Sequence, residues 1–288
     1  MIVVRLCGGL GNQLFQYAAG RALASINGAE LVLDLGWFKN RPESNTPREY
    51  ELSNYRIQAR VASEREEYIG KNYSDRFRRR VPFLSRPWTL CREKSFNFDE
   101  NFLKLQDDIY LDGYWQSYKY FNDFAEVLRK ELTPIRAPSA IDGLVLDSID
   151  AKNSVSVHVR RGDYVSQKAA SVKHGTCSVE YYQRAVHAIM SRVDNPHFFV
   201  FSDDCQWARE NLLFPGEATF VDHNGPANAF QDVRLMAHCK HHVIANSTFS
   251  WWGAWLNPRR DKIIAAPKNW FANGLSAKDI VPNEWIRL

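Results

Sequence analysis

Residues 154–164 read SVSVHVRRGDY. Val155, Val157 and Val159 alternate along this stretch, which then gives way to Arg160 and Arg161, followed by Gly162 and Asp163. A period of two in β-branched residues, closed by glycine, is the pattern of a buried strand ending in a tight turn. In open α/β sheets, ligands sit in the crevice beyond the carboxyl ends of the strands. Two arginines delivered there are costly unless an anion arrives, and the guanidinium fork matches phosphate oxygens bidentately. The competing reading is an internal ion pair, for example Arg161 with Asp163, because structural pairs also hold buried arginine.

Strands and helices alternate on both sides of this stretch. Downstream, helix is predicted over residues 178–192 with Ser178 as N-cap, and strand over 197–202 running into Asp203 and Asp204. Helix 206–212, strand 218–221, helix 228–238, strand 242–245, helix 249–256 and strand 262–265 follow. Upstream, residues 1–6 read as a strand, Gly8–Gly11 as a glycine turn, 12–27 as a helix and 30–35 as a second strand ending at Asp34, which together make a βαβ opening. Residues 109–116 read as another strand and turn, and 121–132 as an amphipathic helix. Pro134, Pro138 and Gly143 surround a short helical segment in residues 133–153, where the domain linker is placed. This pattern predicts an α/β chain of two parallel-sheet domains, 1–140 and 141–288.

Bulk composition narrows the class. The chain has 288 residues, 45% of them hydrophobic, enough for two cores. A net charge of +4 fits an anionic ligand or an acidic membrane surface and demands no nucleic-acid patch. Five scattered cysteines without a CxxC pair read as reduced thiols. The opening residues lack the apolar core of a signal peptide, and no run of about 20 apolar residues occurs, so a cytoplasmic protein is expected. The basic stretch from Arg76 to Lys94, with Arg78, Arg79, Arg80, Arg86 and Arg92, is either a solvated face or a peripheral contact for an anionic glycolipid or bilayer.

Several constellations offer chemistry. In CGGLGNQ, Gly9, Gly11 and the later Asp34 partly match a dinucleotide fingerprint, but Leu14 stands where the third glycine belongs. The junction still offers backbone N–H groups and the positive end of a helix, with the Asn12 and Gln13 amides beside it. The run HHVIANSTFSWWGAWLN passes from strand to polar loop to helix, with Asn246, Ser247 and Thr248 placed as caps or as donors to a diphosphate. Trp251, Trp252 and Trp255 fall on one helix face and read as packing. Asp203 ends a strand, where it either caps the next helix or accepts from a nucleoside. His238, His241 and His242 straddle a helix end and a strand start, so they do not converge as metal ligands, and no D-x-D pair stands ready for a cation.

HVRRGDY, GGLGNQLFQYA, LDGYWQS, FSDD and NSTFSWWGAWLN, spread over nearly the whole chain, resemble the motifs of the inverting bacterial α-1,2-fucosyltransferases of glycosyltransferase family 11. The resemblance implies a GT-B-like fold, with two Rossmann-like domains facing an interdomain cleft. The C-terminal domain would bind GDP-fucose and the N-terminal domain a galactose-terminated oligosaccharide or glycolipid, without a metal and without nucleic acid. Carried over by motif, Arg160 grips the β-phosphate, Arg161 supports it, and Ser247, Thr248 and Phe249 complete the cradle. His158 orients the arginines, Asn12 and Gln13 approach the donor, and Asp203 meets the nucleoside. Tyr114, Trp115 and Gln116 face the acceptor. The general base stays open between Asp163, Asp112 and a dissociative route that needs little base help. The rival functions are a dinucleotide-dependent oxidoreductase and a non-catalytic glycan-binding module.

Overall fold

The computed structural model describes residues 1–39, 47–64, 66–67, 89–166, 171–172 and 174–288. It divides into two compact units, one of Met1–Leu132 with Lys278–Ile280, the other of Thr133–Ala277 with Val281–Leu288. Among the described residues all the strand pairings are parallel.

The N-terminal unit carries β1 (Ile2–Arg5), α1 (Leu10–Asn27), β2 (Leu31–Asp34), α2 (Gly36–Lys39), β3 (Arg60–Val61), β4 (Thr89–Arg92), β5 (Ile109–Asp112) and α3 (Ala125–Glu131). Its sheet runs β3-β2-β1-β5-β4. Ile2, Val4, Leu14, Phe15 and Ala18 are fully buried between β1 and α1. Gly20 makes that approach possible, since a Cβ there would lie 2.3 Å from Val4 Cγ2. The helix ends at Gly28, whose φ of 59° is the left-handed cap that glycine adopts without penalty.

The C-terminal unit carries α4 (Ala140–Ala151), β6 (Asn153–Val159), α5 (Gly162–Ser166), α6 (Val179–Met190), β7 (Pro196–Ser202), α7 (Cys205–Asn211), β8 (Ala218–Val221), α8 (Ala229–His238), β9 (His241–Val243), α9 (Thr248–Leu256), β10 (Ile264–Ala266) and β11 (Ile286–Arg287). Its sheet runs β11-β10-β9-β6-β7-β8. Val155, Val157 and Val159 enter one core with Tyr181, Tyr182, Ile189 and Phe198. The alternate residues of β6 face a polar seam in which Ser156 Oγ and His242 Nδ1 meet at 2.8 Å and the Asn257 amide reaches His242 Nε2 at 2.9 Å. Trp251 and Trp252 of α9 are fully buried, and Trp251 packs 5.6 Å from Trp285. Burying about 200 Å² of indole contributes roughly 5 kcal/mol each before entropy.

The helical segment expected within 133–153 is a twelve-residue helix started by the Ser139–Asp142 capping box, and the two units divide between Leu132 and Thr133, at the head of that stretch. The short strands β3, β4 and β11 were not foreseen, because each depends on pairing with a neighbour rather than on its own pattern. Of the basic stretch, Arg76, Arg78, Arg79, Arg80 and Arg86 lie outside the described residues, and Arg92 is on β4, 3.5 Å from Asp112. No described helix is long and apolar enough to cross a membrane.

Candidate active site

In the C-terminal sheet the chain runs from β6 to β7 and β8 on one side, and then to β9, β10 and β11 on the other. The strand order therefore reverses between β6 and β9, and such a switch point leaves a ligand crevice at the carboxyl edge. Residues 158–162 border it from β6 and residues 246–249 from β9. The two loops touch: Tyr164 donates its hydroxyl to the Asn246 carbonyl (3.3 Å), and the His158 and Phe249 rings lie 5.5 Å apart. SVSVHVRRGDY and NSTFSWW, distant in sequence, thus meet at one point of the sheet.

The arginines find their counter-charges on the β7 side. Arg160 Nη1 is 3.0 Å from Asp203 Oδ2, and Arg161 donates its backbone N–H to Asp203 Oδ1 at 2.8 Å. Arg161 Nε lies 3.4 Å from Asp204 Oδ2. Both arginine side chains are about four-fifths buried. The competing reading, an Arg161–Asp163 pair, falls on a side chain outside the described residues, since only the backbone of Asp163 is described, in α5. Asp203, expected at the nucleoside, is committed to the arginine loop, and the cap of α7 is Asp204, which accepts from Trp207 N–H at 3.1 Å. Gly162 is required by the close approach of Asp203, since a Cβ there would stand 2.7 Å from Asp203 Oδ2.

His158 is buried behind this loop, and its Nδ1 has no partner among the described residues. Burial drives its pKa down to about 4, against the Asp203 carboxylate and with the Arg160 guanidinium, so the ring is neutral at pH 7. Across the crevice, Ser247 is the N-cap of α9 and accepts from Phe249 N–H at 3.3 Å, with Thr248 as the first helical residue. Asn246 is buried, and its Nδ2 donates to the carbonyls of His174 (2.8 Å), Gly175 (3.2 Å) and Trp270 (3.3 Å).

A further polar cluster stands beyond β8. Asn224 Nδ2 donates to Asp142 and to Asp232, both at 2.9 Å, and His223 Nε2 meets Asp142 at 2.9 Å. Burial raises Asp232 to about 7, whereas for Asp142 burial is outweighed by donors from Asn224, Ser139 and His223, which hold it near 2. Asp222, His223 and Asn224 follow β8 as Asp203 follows β7, a strand-end signal in the sequence, whereas their partners Asp142 and Asp232 are brought there by the fold.

The N-terminal sheet has its own switch point between β1 and β5. Gln116 Nε2 donates to Asn12 Oδ1 at 2.9 Å and joins the two turns that border it. Gly8 adopts φ 78° with Asn12 packed against it. Glu93 holds the second turn, accepting from the N–H groups of Tyr114 (2.7 Å) and Trp115 (2.9 Å). Tyr114 is half-buried beside Phe96. Trp115 is buried 4.8 Å from the Phe102 ring. Gln13 is consumed, donating to Gly8 O (3.0 Å) and Glu49 O (2.8 Å) and accepting from Glu51 N–H (2.9 Å). Asp112 pairs with Arg5 at 2.8 Å, and Asp34, the acid of the partial dinucleotide fingerprint, is buried against Gly36 N–H and the Tyr110 hydroxyl. Among the described residues no group of three or more His, Cys, Asp or Glu stands placed to hold a metal ion. His238 meets the Arg234 carbonyl, His241 the Ile263 N–H, and His242 lies in the β6 seam.

The family model for glycosyl transferase family 11 matches residues 1–288. An Escherichia coli protein named alpha-1,2-colitosyltransferase is 38% identical over 100% of this chain and 99% of its own length. The E. coli O-antigen biosynthesis glycosyltransferase WbnK is 31% identical over 98% and 99%. Among solved structures, an Arabidopsis thaliana FUT1 mutant in complex with GDP superposes with a TM-score of 0.51 at 12% identity, covering 93% of this chain and 71% of that one. Fucosyltransferase NodZ from Bradyrhizobium gives 0.50 at 17% identity, covering 89% and 92%. At those identities the two structures speak to fold, and the fold is GT-B-like, with two parallel-sheet domains.

Proposed function

The chain belongs to glycosyl transferase family 11, and on that premise we propose that it transfers L-fucose from GDP-fucose to O2 of a terminal β-galactoside, with inversion, in the assembly of a bacterial surface glycan such as O-antigen. Membership makes it a glycosyltransferase and sets aside both the oxidoreductase and the non-catalytic binding module. The observation that supports the donor reading is Arg160, a largely buried cation held by Asp203 at the β6/β9 switch point. In this reading the C-terminal unit binds the donor and the N-terminal unit the acceptor.

Acceptor O2 loses its proton and bonds to C1 of the sugar. The C1–O bond breaks, and its electron pair leaves with the β-phosphate. Negative charge grows on that diphosphate, and a fixed cation aimed at it lowers the barrier without a metal. Arg160 is that cation, with Asp203 holding its place until the diphosphate arrives. The N-terminus of α9 at Ser247, Thr248 and Phe249 adds its dipole. Neutral His158 leaves the positive charge on the arginines. Asp163, next to the arginine pair in sequence, is the proposed proton acceptor.

The 38% identical relative favours a second donor, GDP-colitose, whose sugar is fucose without the 3-hydroxyl. A site that hydrogen-bonds O3 rejects the deoxy sugar by about 10⁴, whereas an apolar lining discriminates weakly. Initial rates with the two donors in competition, and the linkage of the product, test the proposal. Preference for GDP-fucose with an α-1,2 product supports it, preference for GDP-colitose moves the donor, and transfer from neither overturns it.

A further inference from the structure

The Arg161 guanidinium lies over the indole of Trp207, 3.8 Å from the ring centroid, well inside the range in which a cation is held by an aromatic face. From another side Arg161 Nε meets Asp204 Oδ2 at 3.4 Å. The other oxygen of Asp204 accepts the Trp207 N–H and so starts the helix that carries the indole. Arg161 is thus clamped on α7 by an aromatic face and a carboxylate that fix each other. The clamp reaches the reacting cation in two further contacts: Arg161 N–H to Asp203 Oδ1 at 2.8 Å, and Asp203 Oδ2 to Arg160 Nη1 at 3.0 Å.

Adjacent arginines repel each other and compete for one anion. The planar guanidinium stacks readily, so an indole can hold one of them in place. We propose that Trp207 is a positioning residue for glycosyl transfer: with Asp204 it keeps Arg161 on α7, and the ordered loop presents Asp203 and Arg160 to the diphosphate. The inference rests on the donor site proposed above. Trp207 also packs against the apolar core of its unit, a role that any large apolar side chain would fill. The two roles separate by substitution, because phenylalanine keeps an aromatic face and leucine keeps only the bulk.

The test is steady-state kinetics and thermal melts on the full chain, with GDP-fucose and GDP-colitose as donors. Trp207→Leu is expected to lower kcat about tenfold with the donor KM within about twofold, and Trp207→Phe to restore most of the loss. Adding Trp207→Leu to Arg161→Ala is expected to cost no further kcat, because the pair acts as one unit. Equal kcat for the leucine and phenylalanine variants, or full additivity with Arg161→Ala, overturns the clamp while the donor reading stands. Wild-type inactivity on both donors overturns the donor reading and the clamp with it. Should Trp207→Leu fail to fold, Asp204→Asn probes the clamp from its other side. Asparagine still caps α7 but drops the charge on Arg161, so kcat falls about threefold with an unchanged melt; unchanged kcat overturns the clamp.

Discussion

Gly162→Ala separates activity from stability at a single methyl group. An added Cβ would lie 2.7 Å from Asp203 Oδ2 and 3.1 Å from its Cγ, about 0.7 Å short of ordinary contact at the nearer atom. The backbone of α5 begins at this residue, so the carboxylate is the partner that gives way. Asp203 holds Arg160 at 3.0 Å and the Arg161 N–H at 2.8 Å, and a shift of that size takes both past hydrogen-bond length. A hydrogen bond to a charged group contributes about 1.5–3 kcal/mol, and losing about half of it from the presentation of Arg160 corresponds to roughly four- to twelvefold in kcat. Alanine is favoured over glycine in a helix by up to about 1 kcal/mol, which offsets the strain in the melt. The expected result is kcat down roughly four- to twelvefold with the melting temperature nearly unchanged, measured by initial rates at saturating donor and by thermal denaturation. Wild-type kcat in a folded Gly162→Ala protein would refute the argument that Asp203 sets Arg160.

Activity is expected to survive excess EDTA, because the leaving charge is met by Arg160 and the α9 N-terminus; a loss above about tenfold that Mg²⁺ or Mn²⁺ restores would assign the Lewis acid to a metal. Gln13→Ala leaves Gly8 O, Glu49 O and Glu51 N–H without their partner and should cost about 2–4 kcal/mol of stability, while the melting shift produced by GDP persists; a lost shift would return Gln13 to the donor site. Asp232 has a native pKa raised to about 7 by burial, above its unfolded value near 3.8. The native state therefore holds a proton that the unfolded state releases, and wild-type stability falls as pH rises from about 4 to about 7. Asp232→Asn removes that fall, so its advantage over wild type should grow across the same window and then level off; melts at pH 5, 6, 7 and 8 that show a constant difference would contradict it.

Most of the elements were legible because their signals are local. Val155, Val157 and Val159 alternate within one strand, and Ser178 caps the helix it precedes, accepting from the Tyr181 N–H. The short strands were not legible, since Arg60–Val61 and Ile286–Arg287 become strands only through their neighbours. Two polar side chains at the site have partners that the sequence does not show. Gln13 and Asn246 have the chemistry of ligand donors, but backbone groups from Glu49, Glu51, His174 and Trp270, far away in sequence, take up their amides. Asp203 was legible as a strand-end acid; its pairing with Arg160 depends on β7 lying beside β6. Trp207 carried a weak signal, three residues after the Asp204 cap, that gains meaning only once Arg161 is seen above its ring.

The account turns on Arg160 as the cation that meets the departing diphosphate. Its direct test is kcat for Arg160→Ala, measured beside the melt of the same protein. Removing one donor to a developing anion costs roughly 10²–10³ in rate, so kcat should fall at least about a hundredfold in a folded protein, and Arg160→Lys should recover little, because an ammonium lacks the bidentate fork. Near wild-type kcat in a normally melting Arg160→Ala protein would contradict the account.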